Sequence, residues 1–261
     1  MLITLSLLAS CARGSENDAV SRSNEPALGA DPTDCGSDGE ITVAGAASLT
    51  GAFTAIGEAF EGACEGSTIT FTFGSSTTLA TQIREGAPVD VFASADESSA
   101  AGLTDLAAGS AKVFARNRLV IVTKPANPEQ IDVLADLTDV GVVALCASEA
   151  PCGGFAAEAL AAADVTVDES RVTRGQNAKA TLNAVAEGDA VAGIVYLTDA
   201  IAASDAVEAV PIPDDQNVVT SYPVVVLDGP GDRALAEAFA DALLGDRAQR
   251  VLRSQGFGPP R

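Results

Sequence analysis

Histidine is absent from this 261-residue chain, lysine occurs only at Lys112, Lys124 and Lys179, and aromatic residues make up 4%. Without histidine there is no Ser-His-Asp or Cys-His catalysis, and the commonest zinc ligand is missing. Carboxylate or lysine chemistry stays open, so an enzyme is disfavoured rather than excluded. Positive charge is also scarce: 15 basic against 36 acidic residues leave a formal net charge of −21. A surface of that sign repels nucleic acid and anionic membranes. Any anionic ligand has to be drawn in by local dipoles against the field of the whole protein. With so few aromatics, the core is expected to be built mainly from Ala, Val and Leu, in a chain long enough for one or two domains.

The apolar N-terminus is too short to span a bilayer, since Met1–Ser10 falls far below the ~20 residues required. It ends in Leu8-Ala9-Ser10-Cys11. This resembles the lipobox of bacterial lipoproteins, in which a small residue precedes a Cys that is lipidated and becomes the new N-terminus. The usual basic n-region is missing, as it would be if the start lay inside a longer signal peptide. Residues 1–11 are expected to be signal peptide and lipobox, with a chance match in a plain signal peptide as the alternative. Residues 12–39, rich in Ser, Asn, Asp, Glu, Gly and Pro, have almost nothing to bury and are expected to be a flexible tether spanning on the order of 30 Å. The folded part is therefore expected outside the cytoplasm, held at the outer face of the cell membrane by lipidated Cys11.

Cys35, Cys64, Cys146 and Cys152 remain. An even number in an exported chain points to disulfides, for which four cysteines allow three pairings. Local geometry favours Cys35–Cys64, at the open ends of a strand and the helix that returns antiparallel to it, and Cys146–Cys152, which flank one short loop.

From Glu40 onward apolar strands alternate with helical stripes, which reads as α/β. Two Ser-bearing turns stand out. Ile41–Gly45 is a strand, followed by Ala47-Ser48-Leu49-Thr50 and a stripe of Phe53, Ile56, Ala59 and Phe60. Ile69–Phe73 is a second strand, followed by Gly74-Ser75-Ser76-Thr77-Thr78 and a stripe of Leu79, Ala80 and Ile83 closed by Gly86. Serines there can be ordinary N-caps. Two such turns at the carboxyl ends of adjacent strands also point hydroxyls and unpaired helix N–H groups at one spot, which suits an anion with no hydrogen to donate. Further strands are expected at Val89–Ala93, Arg118–Thr123, Gly141–Leu145, Ala192–Tyr196 and Tyr222–Leu227. Helices are expected from Asp96 to about Gly109, from Gly154 to about Ala163, over Ala178–Ala186, from Arg233 to about Leu244, and in a short piece ending near Gly256.

Four blocks in order, Ile41–Leu49, Phe73–Ala80, Gly86–Asp96 and Gly193–Tyr196, resemble the substrate-binding proteins of molybdate ABC transporters. The similarity runs from about residue 40 to residue 258. It implies a two-lobed periplasmic-binding-protein-like fold (type II) with a ligand cleft between lobes: residues 40–118 plus 215–261 as lobe 1, and 119–214 as lobe 2. It implies a monomeric binding protein, not an enzyme, that captures molybdate or tungstate and hands it to an ABC permease and its ATPase subunit. No cofactor is implied, and molybdenum enters only as its oxyanion. The family's ligand positions fall on the hydroxyls of Ser48 and Ser76, the backbone donor of Cys152 within Pro151-Cys152-Gly153, the backbone donor of Ala178 (with a one-residue offset toward Asn177 as the alternative) and the hydroxyl of Tyr196. The chain departs from the family at Cys152, where many relatives have Ala. The donor there is a backbone N–H, so the change need not harm binding.

Molybdate near neutral pH is a dianion with four acceptor oxygens and no proton. Neutral donors suit it, and they cost less to desolvate than a buried Lys or Arg. With no histidine, binding is expected to change little between about pH 6 and 8. Other polar residues have plainer readings. Asp90, Asp96 and Asp199 are expected to brace strand ends or cap helices, and Arg116 and Arg118 to be solvated. Gly153-Gly154 is either an anion nest or the flexible start of a helix, and Tyr196 can be a plain core tyrosine. The rival functions are the same fold binding another oxyanion such as sulfate, an exported carboxylate-based hydrolase, and an adhesive lipoprotein without a ligand.

Overall fold

A computed structural model describes residues 35–261. Cys11, the lipobox and residues 12–34 of the expected tether lie outside the described residues. Residues 35–39 of that segment belong to the folded part. Cys35 is bonded to Cys64, Ser37 hydrogen-bonds Asp232, and Gly39 opens the first strand.

The chain alternates as expected. In order, β1 (Gly39–Ala46) leads through a 3-10 turn at Ala47–Leu49 into α1 (Thr50–Ala63). Then come β2 (Ser67–Gly74), α2 (Ser76–Arg84), β3 (Val91–Ala93), α3 (Glu97–Ala101) and β4 (Lys112–Thr123). The second half holds β5 (Val143–Cys146), α4 (Pro151–Ala162), β6 (Val172–Gly175), α5 (Ala178–Ala186), β7 (Ala192–Tyr196), α6 (Leu197–Ala202) and β8 (Glu208–Pro211). The chain returns through β9 (Val219–Val226) and ends with α7 (Arg233–Ala242) and α8 (Asp246–Ser254). Among the described residues no helix is long and apolar enough to cross a membrane.

The strands order as β2-β1-β3-β9-β4-β7-β5-β6, with β8 also on β4. β4 joins the two halves because each of its ends has different partners. Lys112–Arg118 pairs antiparallel with β9, whereas Leu119–Thr123 pairs antiparallel with β7, and Val120–Thr123 with β8. The flanking pairs β1–β2, β1–β3, β5–β6 and β5–β7 are parallel, so the carboxyl ends of β1 and β2 and of β5 and β6 carry the turns that meet between the halves.

The few aromatics are concentrated on one side rather than spread. Phe53 lies 5.6 Å from Phe114 and 6.1 Å from Phe239, ring centre to ring centre, and Phe60 lies 5.6 Å from Phe239. Each buried Phe contributes roughly 1.5–3 kcal/mol, so this cluster stabilises the half built on β1. Around β5 and β7 the core is Ala, Val, Leu and Ile, as expected.

Both favoured disulfides are present, Cys35–Cys64 and Cys146–Cys152. The helix boundaries differ from the sequence reading in two places. The helix after Asp96 stops at Ala101, because Gly102 follows and Ala107 bridges back to Leu227 on the sheet. α4 begins at Pro151 rather than Gly154, since proline is well tolerated where its missing N–H is not needed. Cys152 is thus in the first turn of a helix, not in a loop. β8 and α6 are additional elements, with too few residues to give a periodic signal in the sequence.

Candidate functional site

The five expected ligand residues, Ser48, Ser76, Cys152, Ala178 and Tyr196, all line one small cavity of about 10 Å³ between the halves of the sheet. That is below the usual range for organic ligands. All its lining residues are uncharged. A wider cleft of about 480 Å³, with Glu97, Glu149 and Glu158 on its walls, borders it at Pro151. Thr77 and Glu149 face each other across that cleft, the Thr77 hydroxyl donating to the Glu149 carbonyl at 2.7 Å.

Helix starts converge on the small cavity. Ala47 begins the 3-10 turn before α1, Ser76 begins α2, Cys152 is the second residue of α4, Ala178 begins α5, and Tyr196 precedes α6. The first N–H groups of a helix have no acceptor within it, and the helix dipole is positive there. Local geometry enforces the closeness. A Cβ on Gly153 would collide with the Ala147 carbonyl oxygen, and one on Gly175 would collide with the Thr181 hydroxyl. Gly153 is therefore a packing glycine, and neither it nor Gly154 lines the small cavity.

Neither serine occupies an N-cap position, since Ala46 precedes the 3-10 turn, Leu49 precedes α1 and Ser75 precedes α2, so the plain N-cap reading fails for both. Ser76 Oγ instead accepts from the Ala95 backbone N–H at 2.9 Å. Ser48 Oγ and the Tyr222 hydroxyl are 2.8 Å apart. On the other side, Asn177 caps α5 with its side chain, accepting from Ala180 N–H at 2.9 Å. That occupies the asparagine Oδ1, and the Ala178 N–H is the first amide of the helix; both residues line the cavity.

Tyr196 is 2% exposed, and its hydroxyl is buried without a hydrogen-bond partner among the described residues. Buried polar atoms are seldom left so, and an acceptor in the cavity would satisfy this one. Burial, aided by the neighbouring Tyr222 and the carboxylates of Asp199 and Asp96, holds the phenol well above its ordinary pKa. It keeps its proton and is a donor.

The aspartates divide. Asp96 caps α3, its carboxylate accepting from Ser99 N–H at 2.5 Å and from the Ser99 hydroxyl at 2.9 Å. Asp90 braces a strand end, accepting from Thr42 N–H at 2.7 Å and Gly231 N–H at 2.6 Å. Both carboxylates are engaged in these structural hydrogen bonds, as expected. Asp199 stands in the first turn of α6 as a capping carboxylate would, but it is buried, and its Oδ2 has no hydrogen-bond partner among the described residues. Desolvation pushes its pKa to about 7, against the backbone amide of Tyr196 and the charge of Lys179. Asp199 is thus a group that titrates within the pH 6 to 8 window in which binding is expected to change little, although it does not line the cavity. Arg116 and Arg118 are exposed as expected, Arg118 paired with Asp214 at 3.2 Å. Among the described residues no group of His, Cys, Asp or Glu is arranged to hold a metal ion.

Sequence reasoning missed Asn117 and Tyr222. Asn117 is 3% exposed, at the point where β4 changes partners, and its side-chain amide donates to the Tyr222 hydroxyl at 3.3 Å and to Thr198 Oγ1 at 2.9 Å. A lone Asn in a strand-like run carries no signal of such a role.

The family model for bacterial extracellular solute-binding proteins matches residues 41–258. The molybdate-binding protein ModA of Mycobacterium tuberculosis is 37% identical over 223 residues, covering 84% of this chain and 85% of that protein. Among solved structures, the periplasmic molybdate-binding protein of Azotobacter vinelandii superimposes with a TM-score of 0.75 at 23% identity, covering 85% of this chain and all of that one. The sulfate-binding protein SubI of M. tuberculosis superimposes with a TM-score of 0.77 at 19% identity, covering 84% and 86%. At those identities the structural likeness speaks for the fold alone.

Proposed function

The chain belongs to the bacterial extracellular solute-binding proteins, in the molybdate-binding family, and on that premise we propose that it captures molybdate in the small cavity between the sheet halves. The observation that carries this is the convergence of helix N-termini on a cavity whose lining is uncharged. In this reading Ser48, Ser76 and Tyr196 donate hydroxyl hydrogens, and Cys152 and Ala178 donate backbone N–H groups. Each hydrogen bond to a dianion is charge-assisted, and a proton-free oxyanion accepts from every donor. A carboxylate in the lining would favour a proton-bearing anion such as hydrogen phosphate; there is none.

Tungstate, a tetrahedral dianion of similar size, is held in the same way. Residues 40–118 with 215–261 act as one lobe and 119–214 as the other, closing on the anion about β4 and β9. The protein works as a monomer that passes its anion to an ABC permease and ATPase, tethered outside the cytoplasm through lipidated Cys11. A sulfate-binding protein shares the fold, so the choice of anion is the point to test. Thermal unfolding with molybdate, tungstate, sulfate and phosphate decides it. A ligand at 100 times its Kd adds about 2.7 kcal/mol, and only the first two are expected to do so at low concentration.

A further inference from the structure

We propose that Asn117 and Tyr222 are positioning residues for the anion site, acting together to fix the direction of the Ser48 hydroxyl so that its hydrogen faces the cavity. The proposal rests on the reading of Ser48 as an anion donor and adds the machinery behind it.

The direction follows from what each group can donate. The Arg118 backbone N–H, which can only donate, lies 3.0 Å from Asn117 Oδ1. That fixes which way the Asn117 amide is turned. Its NH2 then faces two oxygens, Thr198 Oγ1 at 2.9 Å and the Tyr222 hydroxyl at 3.3 Å, and donates one hydrogen to each. The Tyr222 oxygen is thereby an acceptor toward Asn117, and its own single hydrogen must go elsewhere. Tyr196 Oη lies beside it but forms no hydrogen bond of good geometry among the described residues. Ser48 Oγ, 2.8 Å away, is in hydrogen-bond geometry with it, and the relay takes Ser48 as the acceptor of the Tyr222 hydrogen. Ser48 accepts from Tyr222, so its hydrogen cannot point back and is left for the cavity that Ser48 lines. The chain of donation runs Asn117 N–H to Tyr222 O–H to Ser48 O–H to anion.

The arrangement also spans the joint. Ser48 follows β1 and Tyr222 lies on β9, whereas Thr198 lies in α6 on the far half, and Asn117 sits where β4 passes from one half to the other. Tyr222 is fully buried, with its pKa pushed up chiefly by burial, so it holds its proton throughout the physiological range.

The test is a double-mutant cycle on molybdate affinity, measured by calorimetry on the whole chain. Tyr222→Phe removes the hydroxyl but keeps the ring that meets Phe114, Tyr196 and Phe257 edge-on. It is expected to weaken binding roughly three- to tenfold in the wild-type background and to have no further effect in the Ser48→Ala background. Should Tyr222→Phe not fold, Asn117→Ala runs the same cycle, since it leaves the tyrosine in place and removes the donor that sets its direction. Equal weakening in the two backgrounds, or no weakening in either, overturns the relay. In the first case a structural effect has lowered affinity, and the unfolding temperature without anion falls with it. If Ser48→Ala alone binds as the wild type does, the site reading fails and the relay with it. If Ser48→Ala is weakened and the cycle shows no coupling, only the relay fails.

Discussion

The Ala95 backbone N–H donates to Ser76 Oγ at 2.9 Å. A hydroxyl that accepts from an amide behind it keeps its own hydrogen for what lies in front, and in front of Ser76 is the cavity. Ser76→Ala removes that donor. A hydrogen bond to a charged group is worth roughly 1.5–3 kcal/mol, so molybdate affinity is expected to fall by one to two orders of magnitude. Ser76 is the first helical residue of α2 and not its N-cap, which is Ser75, so the cost to the helix itself should be small. Calorimetry and thermal unfolding of the same variant separate the two effects; unchanged affinity would remove Ser76 from the site.

The Cys146–Cys152 bond ties the end of β5 to the first turn of α4, whose Cys152 lines the cavity. Donors already held in place leave less ordering to be done on binding. Cys146→Ala/Cys152→Ala keeps the backbone N–H but loses the tether, and it is expected to bind molybdate several-fold more weakly with its α/β content retained. Cys146→Ala/Cys152→Pro should bind about tenfold more weakly again, because proline fits the first helical turn yet has no N–H. Equal binding by the two variants would show that the amide is not a donor.

Asp199 makes the protein sensitive to pH. Its folded pKa is about 7, above the ordinary carboxylate value of 3.8. The unfolded chain therefore loses this proton first, and the stability the group contributes is lost progressively as pH rises from about 4 to about 7. Asp199→Asn should raise the unfolding temperature more at pH 8 than at pH 5. Ionised Asp199 also acts on the hydroxyl of Tyr196, so bound dianion should hold its proton on. Molybdate binding at pH 7 is then accompanied by proton uptake, visible as a dependence of the binding heat on buffer ionisation enthalpy. Asp199→Asn should abolish that dependence, and a wild-type protein lacking it would place Asp199 outside the field of the anion.

Lipidation at Cys11 is tested by fractionation. Cys11→Ser is expected to move the protein from the membrane to the soluble fraction with molybdate affinity unchanged. Continued membrane association would refute the lipobox reading.

What is legible in the sequence is local. The turns that hold Ser48 and Ser76 can be read from the residues themselves, whereas Cys152, Ala178 and Tyr196 come from the family resemblance. The start of α5 at Ala178 is legible because Asn177 is a strong cap. Cys146–Cys152 follows from its short spacing, and Cys35–Cys64 from a strand and the helix that runs back beside it. What stays hidden is long-range. Asn117 and Tyr222 are 105 residues apart and meet because β4 pairs with β9. Asp199 reads as a cap from the sequence and sits in the first turn of α6 as one, but its burial and the unpaired oxygen are invisible there. The failed N-cap reading of Ser76 has the same origin, since its partner Ala95 arrives on the segment after β3.

The most direct test of the whole account is a calorimetric titration of the protein with molybdate in a large excess of sulfate. Saturation at one anion per chain, with an affinity little changed by the sulfate, is the predicted result. Loss of the molybdate heat in that excess of sulfate would contradict the account, since the cavity would then be a general dianion site.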